Sequence, residues 1–188
     1  LLTCMCNFSL AGNDAYEQGD IILGAAISFR YFVYYGGYSS ASIPVLVSGE
    51  YGFHKYVSGG VFAGYQNYRY EDYYNQNKPP YSVNYTYSYS SISVGVKGSF
   101  HVFPFINDQF NTKVDASRMD AYATAYIGNT FIQYNTSSGY IRNDILKNRP
   151  IVGPGVGFRY TFTPMFGAFA EAGVGATGIA TIGLALKL

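Results

Sequence analysis

The sequence predicts an all-β protein, an eight-stranded antiparallel up-and-down transmembrane β-barrel. Three observations carry this. Apolar and aromatic residues recur at every second position, and the intervening positions are small or charged. Aromatic residues make up 19% of the chain against 12% charged residues, with 21 Tyr, 14 Phe and no Trp. Stretches rich in Tyr, Asn, Gly and Pro separate the alternating runs. A strand places alternate residues on opposite faces, so each run presents one greasy face and one crowded polar face. Only a closed barrel satisfies every backbone group of a sheet in lipid.

The first run spans Asp20 to Tyr31. Ile21, Leu23, Ala25, Ile27, Phe29 and Tyr31 oppose Asp20, Ile22, Gly24, Ala26, Ser28 and Arg30. The second sets Val45, Val47, Gly49, Tyr51 and Phe53 against Leu46, Ser48, Glu50 and Gly52, and the third runs from Ser58 to Tyr68. The fourth, Thr86 to His101, sets Ile92, Val94, Val96 and Phe100 against Ser93, Gly95, Lys97 and Ser99. The fifth, Met119 to Gln133, is less regular, with Ala121, Ala123, Ala125 and Ile127 opposite Tyr122, Thr124, Tyr126 and Gly128. The sixth turns on Val156, Phe158, Tyr160 and Phe162, the seventh on Ala168, Ala170, Ala172 and Val174, the eighth on Ala180, Ile182, Leu184, Leu186 and Leu188. Each run reaches the 9–11 residues, roughly, that a tilted strand needs to cross the hydrocarbon. A transmembrane helix over 166–186 is the competing reading. Five Gly and Glu171 in that stretch argue against it, since each Gly costs a helix interior about 1 kcal/mol relative to Ala.

Residues 1–11 read as the end of a signal peptide, with Ser9-Leu10-Ala11 as a small-x-small cleavage pattern, and residues 12–188 as the barrel domain. A lipobox at Cys4 is the weaker alternative, and Cys6 has no evident partner beyond Cys4. Predicted outer loops are Val33–Ile43, Asn67–Tyr85 and Tyr134–Pro150; predicted inner turns are His54–Tyr56, a longer Val102–Arg118, and Thr163–Met165. Long outer loops and short inner turns are the pattern of such barrels. Aromatics flank the runs as two girdles, where rings with one polar end are favoured. Tyr31, Phe32, Tyr34, Tyr35, Tyr65, Tyr87 and Tyr134 belong to the outer girdle, and Tyr51, Phe53, Phe100, Phe103, Tyr160, Phe162 and Phe166 to the inner.

The order of motifs resembles small outer-membrane barrels of the opacity type, especially those of Bacteroidota. Tyr16-Glu17-Gln18-Gly19-Asp20, Ser48-Gly49-Glu50-Tyr51-Gly52, Gly95-Val96-Lys97-Gly98-Ser99-Phe100-His101 and Phe162-Thr163-Pro164-Met165-Phe166-Gly167 carry the resemblance. The resemblance implies residence in a bacterial outer membrane. It also implies contact with outer-membrane lipid and lipopolysaccharide, and a place beside other outer-membrane proteins. The last residue is Leu188, where these barrels end in Phe or Tyr.

The alternation points Asp20, Arg30, Glu50, Lys97, Arg159, Glu171 and Lys187 inward. An eight-stranded barrel is just wide enough for side chains to fill, and buried charges must be paired. Glu50, Lys97, Arg159 and Glu171 are therefore expected to form one charge network that plugs the lumen. The Tyr-rich second outer loop, with Tyr68, Tyr70, Tyr73, Tyr74 and Tyr81, is the expected partner-contact surface, since exposed aromatics anchor binding. The expected function is a structural or interaction barrel. The alternatives are a narrow channel, a lipid-modifying enzyme and a soluble calycin-like binding barrel. For the enzyme, only His54 and His101 are available, Ser99 lies two residues from His101 on the same face, and both histidines are expected in solvated strand ends. Two isolated histidines make no metal-ligand set, and no cofactor motif occurs. A net charge of +1 offers no basic stripe for nucleic acid.

Overall fold

In the computed structural model, the structure describes residues 14–29, 38–40, 42–73, 84–136, 149–174 and 177–188. The side chains of 38–40, 68–73, 84–89 and 134–136 are outside that description. Residues 1–13, including the expected signal remnant, and Arg30 lie outside the described residues.

The strands are β1 (Ile21–Phe29), β2 (Tyr38–Ser40), β3 (Val45–His54), β4 (Val57–Tyr73), β5 (Asn84–His101), β6 (Met119–Thr136), β7 (Arg149–Thr161), β8 (Phe166–Gly173) and β9 (Ala180–Lys187). All pairings are antiparallel between sequence neighbours around the wall, and β1 pairs with β9 to close it. The result is the eight-stranded up-and-down barrel expected, with the three-residue β2 added to the outer part of β4. Phe166–Gly173 and Ala180–Lys187 are two strands rather than a helix, and no described helix is long and apolar enough to cross a membrane. The end carrying residues 14–20, Leu188 and the 54–57 turn is called the inner end here.

The side-chain sense follows the period-two pattern. Ile21, Leu23, Val94, Val96, Ile182 and Leu184 are exposed on the outer wall, Leu184 at 66%. Glu50, Lys97, Arg159 and Glu171 are buried inside. In water that wall would be an aggregation surface; in a bilayer it is solvated. Tyr51, Phe53, Phe100, Tyr160, Phe162 and Phe166 ring the inner end as exposed aromatics.

The lumen is filled by large side chains set against small ones. Phe62 packs with Leu46, Tyr126 and Ile151. Its ring lies over the cross-strand pair Gly95 and Gly128, where a Cβ would meet it at 2.8 and 3.0 Å. Gly173 ends β8 at φ +151, and a side chain there would strike the backbone of Pro154 and Gly155.

Three expectations need correction. β4 and β5 continue to Tyr73 and from Asn84, so the described residues of the predicted loop Asn67–Tyr85 form a paired ribbon. Tyr68, Tyr70 and Tyr73 lie on that ribbon; Tyr74 and Tyr81 lie outside the described residues. β6 likewise runs to Thr136 and β7 starts at Arg149, which shortens the predicted loop Tyr134–Pro150. The turn Val102–Arg118 holds a helix, α1 (Val102–Phe110), closed by Asn111 in the left-handed conformation.

Candidate functional site

The polar interior is built by residues of equal parity on facing strands. Glu50 comes from β3, Lys97, Ser99 and His101 from β5, Asp120, Tyr122, Thr124 and Tyr126 from β6, Arg159 from β7, Glu171 from β8 and Lys187 from β9. Lys97 stands between two carboxylates, with Nζ 2.9 Å from Glu50 Oε1 and 2.5 Å from Glu171 Oε1. β5 is a neighbour of neither β3 nor β8, so this side chain bridges the lumen. Glu171 also accepts hydrogen bonds from Tyr122 at 2.8 Å and from Tyr126. Glu50 Oε2 accepts from Ser58 at 3.0 Å and Ser99 at 2.9 Å. Each oxygen of these two carboxylates thus meets at least one donor, as a buried carboxylate requires.

Of the four residues expected to share one network, Glu50, Lys97 and Glu171 meet directly. Arg159 does not join them by an ion pair. It sits opposite Asp120 in the β6–β7 register, and its Nη1 lies 3.2 Å from Asp120 Oδ2. Asp120 was missed by the sequence reading, although it shares the parity of Tyr122 and so belongs inside by the same rule. Both Asp120 oxygens lie 2.9 Å from His101 Nδ1, and His101 Nε2 lies 3.0 Å from Ser58 Oγ. Ser58, which also bonds Glu50, links the two groups.

His101 is therefore no solvated strand-end residue: it is fully buried, and Ser58 and Asp120 are each 1% exposed. Nor is Ser99 its partner, since Ser99 turns to Glu50 and Thr124. Ser58, His101 and Asp120 have the connectivity of a nucleophile, base and orienting acid. The Ser58 hydroxyl also donates to Glu50, and all three side chains are closed off from solvent. Tyr16 covers the group from below, stacked on the His101 ring at 3.3 Å between centroids. His54 sits apart in the inner turn, where it accepts from the Tyr56 backbone.

Residues 14–20 form a strap across the inner mouth. The Tyr16 hydroxyl donates to the carbonyls of His54 and Val57 at 2.6 and 2.8 Å. Burial, and then the nearby carboxylates of Asp120 and Asp20, push its phenol well above the usual tyrosine range. Lys187 pairs with Asp20 at 3.1 Å and donates to the Asp14 carbonyl. Towards the outer end a small hollow is lined by Thr124, Tyr126, Glu171, Ile179 and Thr181. Among the described residues no group of three His, Cys, Asp or Glu is placed to hold a metal ion.

A closed antiparallel wall, apolar outside and ionic inside, defines a transmembrane β-barrel of the outer-membrane type. One solved structure shares the fold, and others are less similar. The outer membrane protein OprG from Pseudomonas aeruginosa is similar at TM-score 0.54 and 10% identity, covering 92% of this chain and 97% of that one. The N-terminal β-barrel domain of Pseudomonas aeruginosa OprF gives 0.48 and 16%, over 92% and 100%. Neisserial surface protein A gives 0.46 and 15%, over 90% and 96%. No protein-family description matches the chain, and no curated protein matches it.

Proposed function

We propose that the chain resides in a bacterial outer membrane as a barrel with a plugged lumen, and that it works through its surfaces rather than through a pore or a reaction. The observation that carries this is the bridge from Glu50 through Lys97 to Glu171, laid across the lumen and buried at every member. Passage of an ion would require these charges to part, and an unpaired buried ion costs several kcal/mol. The strap under Tyr16 supports the same reading from the other side. The outer wall meets lipid and, in the outer leaflet, lipopolysaccharide; other outer-membrane proteins are partners of the same apolar kind. Strands β4, β5 and β6, at 17, 18 and 18 residues, are about twice as long as β8 and β9 at 8 each. Their excess stands clear of the bilayer as a ribbon bearing Tyr68, Tyr70 and Tyr73, and this is the surface we assign to contact with partners. The opacity-type assignment rests on the order of motifs in the sequence.

Planar-bilayer recording tests the plug. The purified barrel is expected to give no steady openings. Steady wild-type conductance that disappears in a Glu171→Gln, Arg159→Gln double variant would replace the plug with a narrow channel.

A further inference from the structure

We infer that α1 is an interfacial membrane anchor, lying in the headgroup–acyl boundary of the leaflet at the inner end with its apolar face in lipid. The inference rests on the outer-membrane reading above and extends it to an element that does not cross the bilayer.

The sequence of α1 is VFPFINDQF. At 100° per residue, Val102, Phe103, Phe105, Ile106 and Phe110 fall on one side, interrupted by Gln109, with Asn107 and Asp108 on the other. Such a stripe ordinarily packs against a core, yet no residue of α1 is buried and Phe110 is 70% exposed. The polar side is already occupied by the protein. Asp108 accepts from Lys55 at 2.5 Å and from the Tyr56 hydroxyl at 2.6 Å. Asn107 exchanges hydrogen bonds with the backbone of Val114 at 2.9 and 3.0 Å. Of the apolar residues Phe110 stands exposed, and Val102, Phe103, Phe105 and Ile106 are half-buried.

The occupant follows from continuity. The Phe105 ring meets Phe100 at 5.4 Å and Tyr56 at 5.6 Å. Phe100 belongs to the exposed outer wall, beside Val57 and Phe53. The helix therefore continues the lipid-facing surface around the rim instead of lying beneath the lumen. An amphipathic helix set in that plane buries its apolar face about 5–10 Å into the headgroup boundary.

The absence of Trp from the sequence gives a clean reporter. Phe110→Trp and, separately, Leu184→Trp are reconstituted into phosphatidylcholine vesicles carrying bromine at shallow or at deep acyl positions. Heat-modifiable migration on gels certifies closure, and Ile106→Trp replaces Phe110→Trp if the latter fails to close. Expected is a blue-shifted helix Trp that loses more emission to shallow than to deep bromine, with the order reversed for Leu184→Trp. Red emission from the helix Trp, quenched by aqueous iodide and indifferent to bromine, would overturn the anchor while Leu184→Trp still reports a barrel in lipid. If both probes ignore bromine, the membrane reading itself is at fault.

Discussion

The two halves of the lumen are filled by different chemistry. The inner half holds the buried Asp20, Glu50, Asp120, Lys97, Arg159, Lys187 and His101, and Lys97 reaches from it to Glu171, which lies beside Thr181. The outer half holds an apolar cluster of Leu46, Phe62, Tyr126 and Ile151 and small hydroxyl pairs, Ser28 with Thr177 and Thr181, and Ser93 with Thr130 at 2.9 Å. Hydroxyls are satisfied by one neighbour and tolerate adjustment; ions demand several partners in fixed places. The inner half is thus the specific part of the interior, and the outer half the forgiving one.

Substitutions in each half can break or sharpen that contrast, read as the urea midpoint of the heat-modifiable gel shift. Lys97→Ala strands Glu50 and Glu171 together and is expected to cost about 3–5 kcal/mol; a loss near that of an outer-half hydroxyl would erase the distinction. Tyr16→Phe keeps the stack on His101 and removes the bonds to two carbonyls, for about 1–2 kcal/mol. Ser28→Ala, deep among hydroxyls that can re-pair, is expected to cost about 1 kcal/mol or less. The exposed pair at the rim comes last. The hydrogen bonds from Lys55 and then Tyr56 hold the Asp108 carboxyl below its usual range, while the bond to Asp108 raises Lys55. The depressed acid stabilises the fold above its ordinary pKa and ceases to as pH falls through the lowered value. The raised amine stabilises below its ordinary pKa and fails only in strong base. Asp108→Asn should therefore leave neutral stability nearly unchanged and flatten a small acid-side decline, an effect that salt screens.

The wall was legible in the sequence because period two is a local property: Ile21, Leu23, Val94 and Leu184 declare their face without reference to any other strand. The same parity placed Glu50, Lys97, Arg159 and Glu171 inside. It did not say which would touch. Arg159 was expected in one network with Glu171, but the β6–β7 register sets it opposite Asp120, and register depends on every turn around the barrel. Ser58 was similarly invisible as the partner of His101, because the two lie 43 residues apart and meet only on adjacent β4 and β5. The helix α1 was missed because its nine residues follow a strand without a capping side chain at His101.

The seam between β1 and β9 has a consequence for assembly. The Ile21 amide reaches the Leu188 carbonyl at 3.1 Å, the return bond is 2.8 Å, and Lys187 spans from Asp20 to the strap at Asp14. Strand β9 thus both zips the cylinder and neutralises an acid contributed by the segment leading into β1. Deleting Ala180–Lys187 would leave no leaky tube to rescue: two raw margins would face hydrocarbon and Asp20 would lose its counter-ion, so insertion should be all-or-nothing.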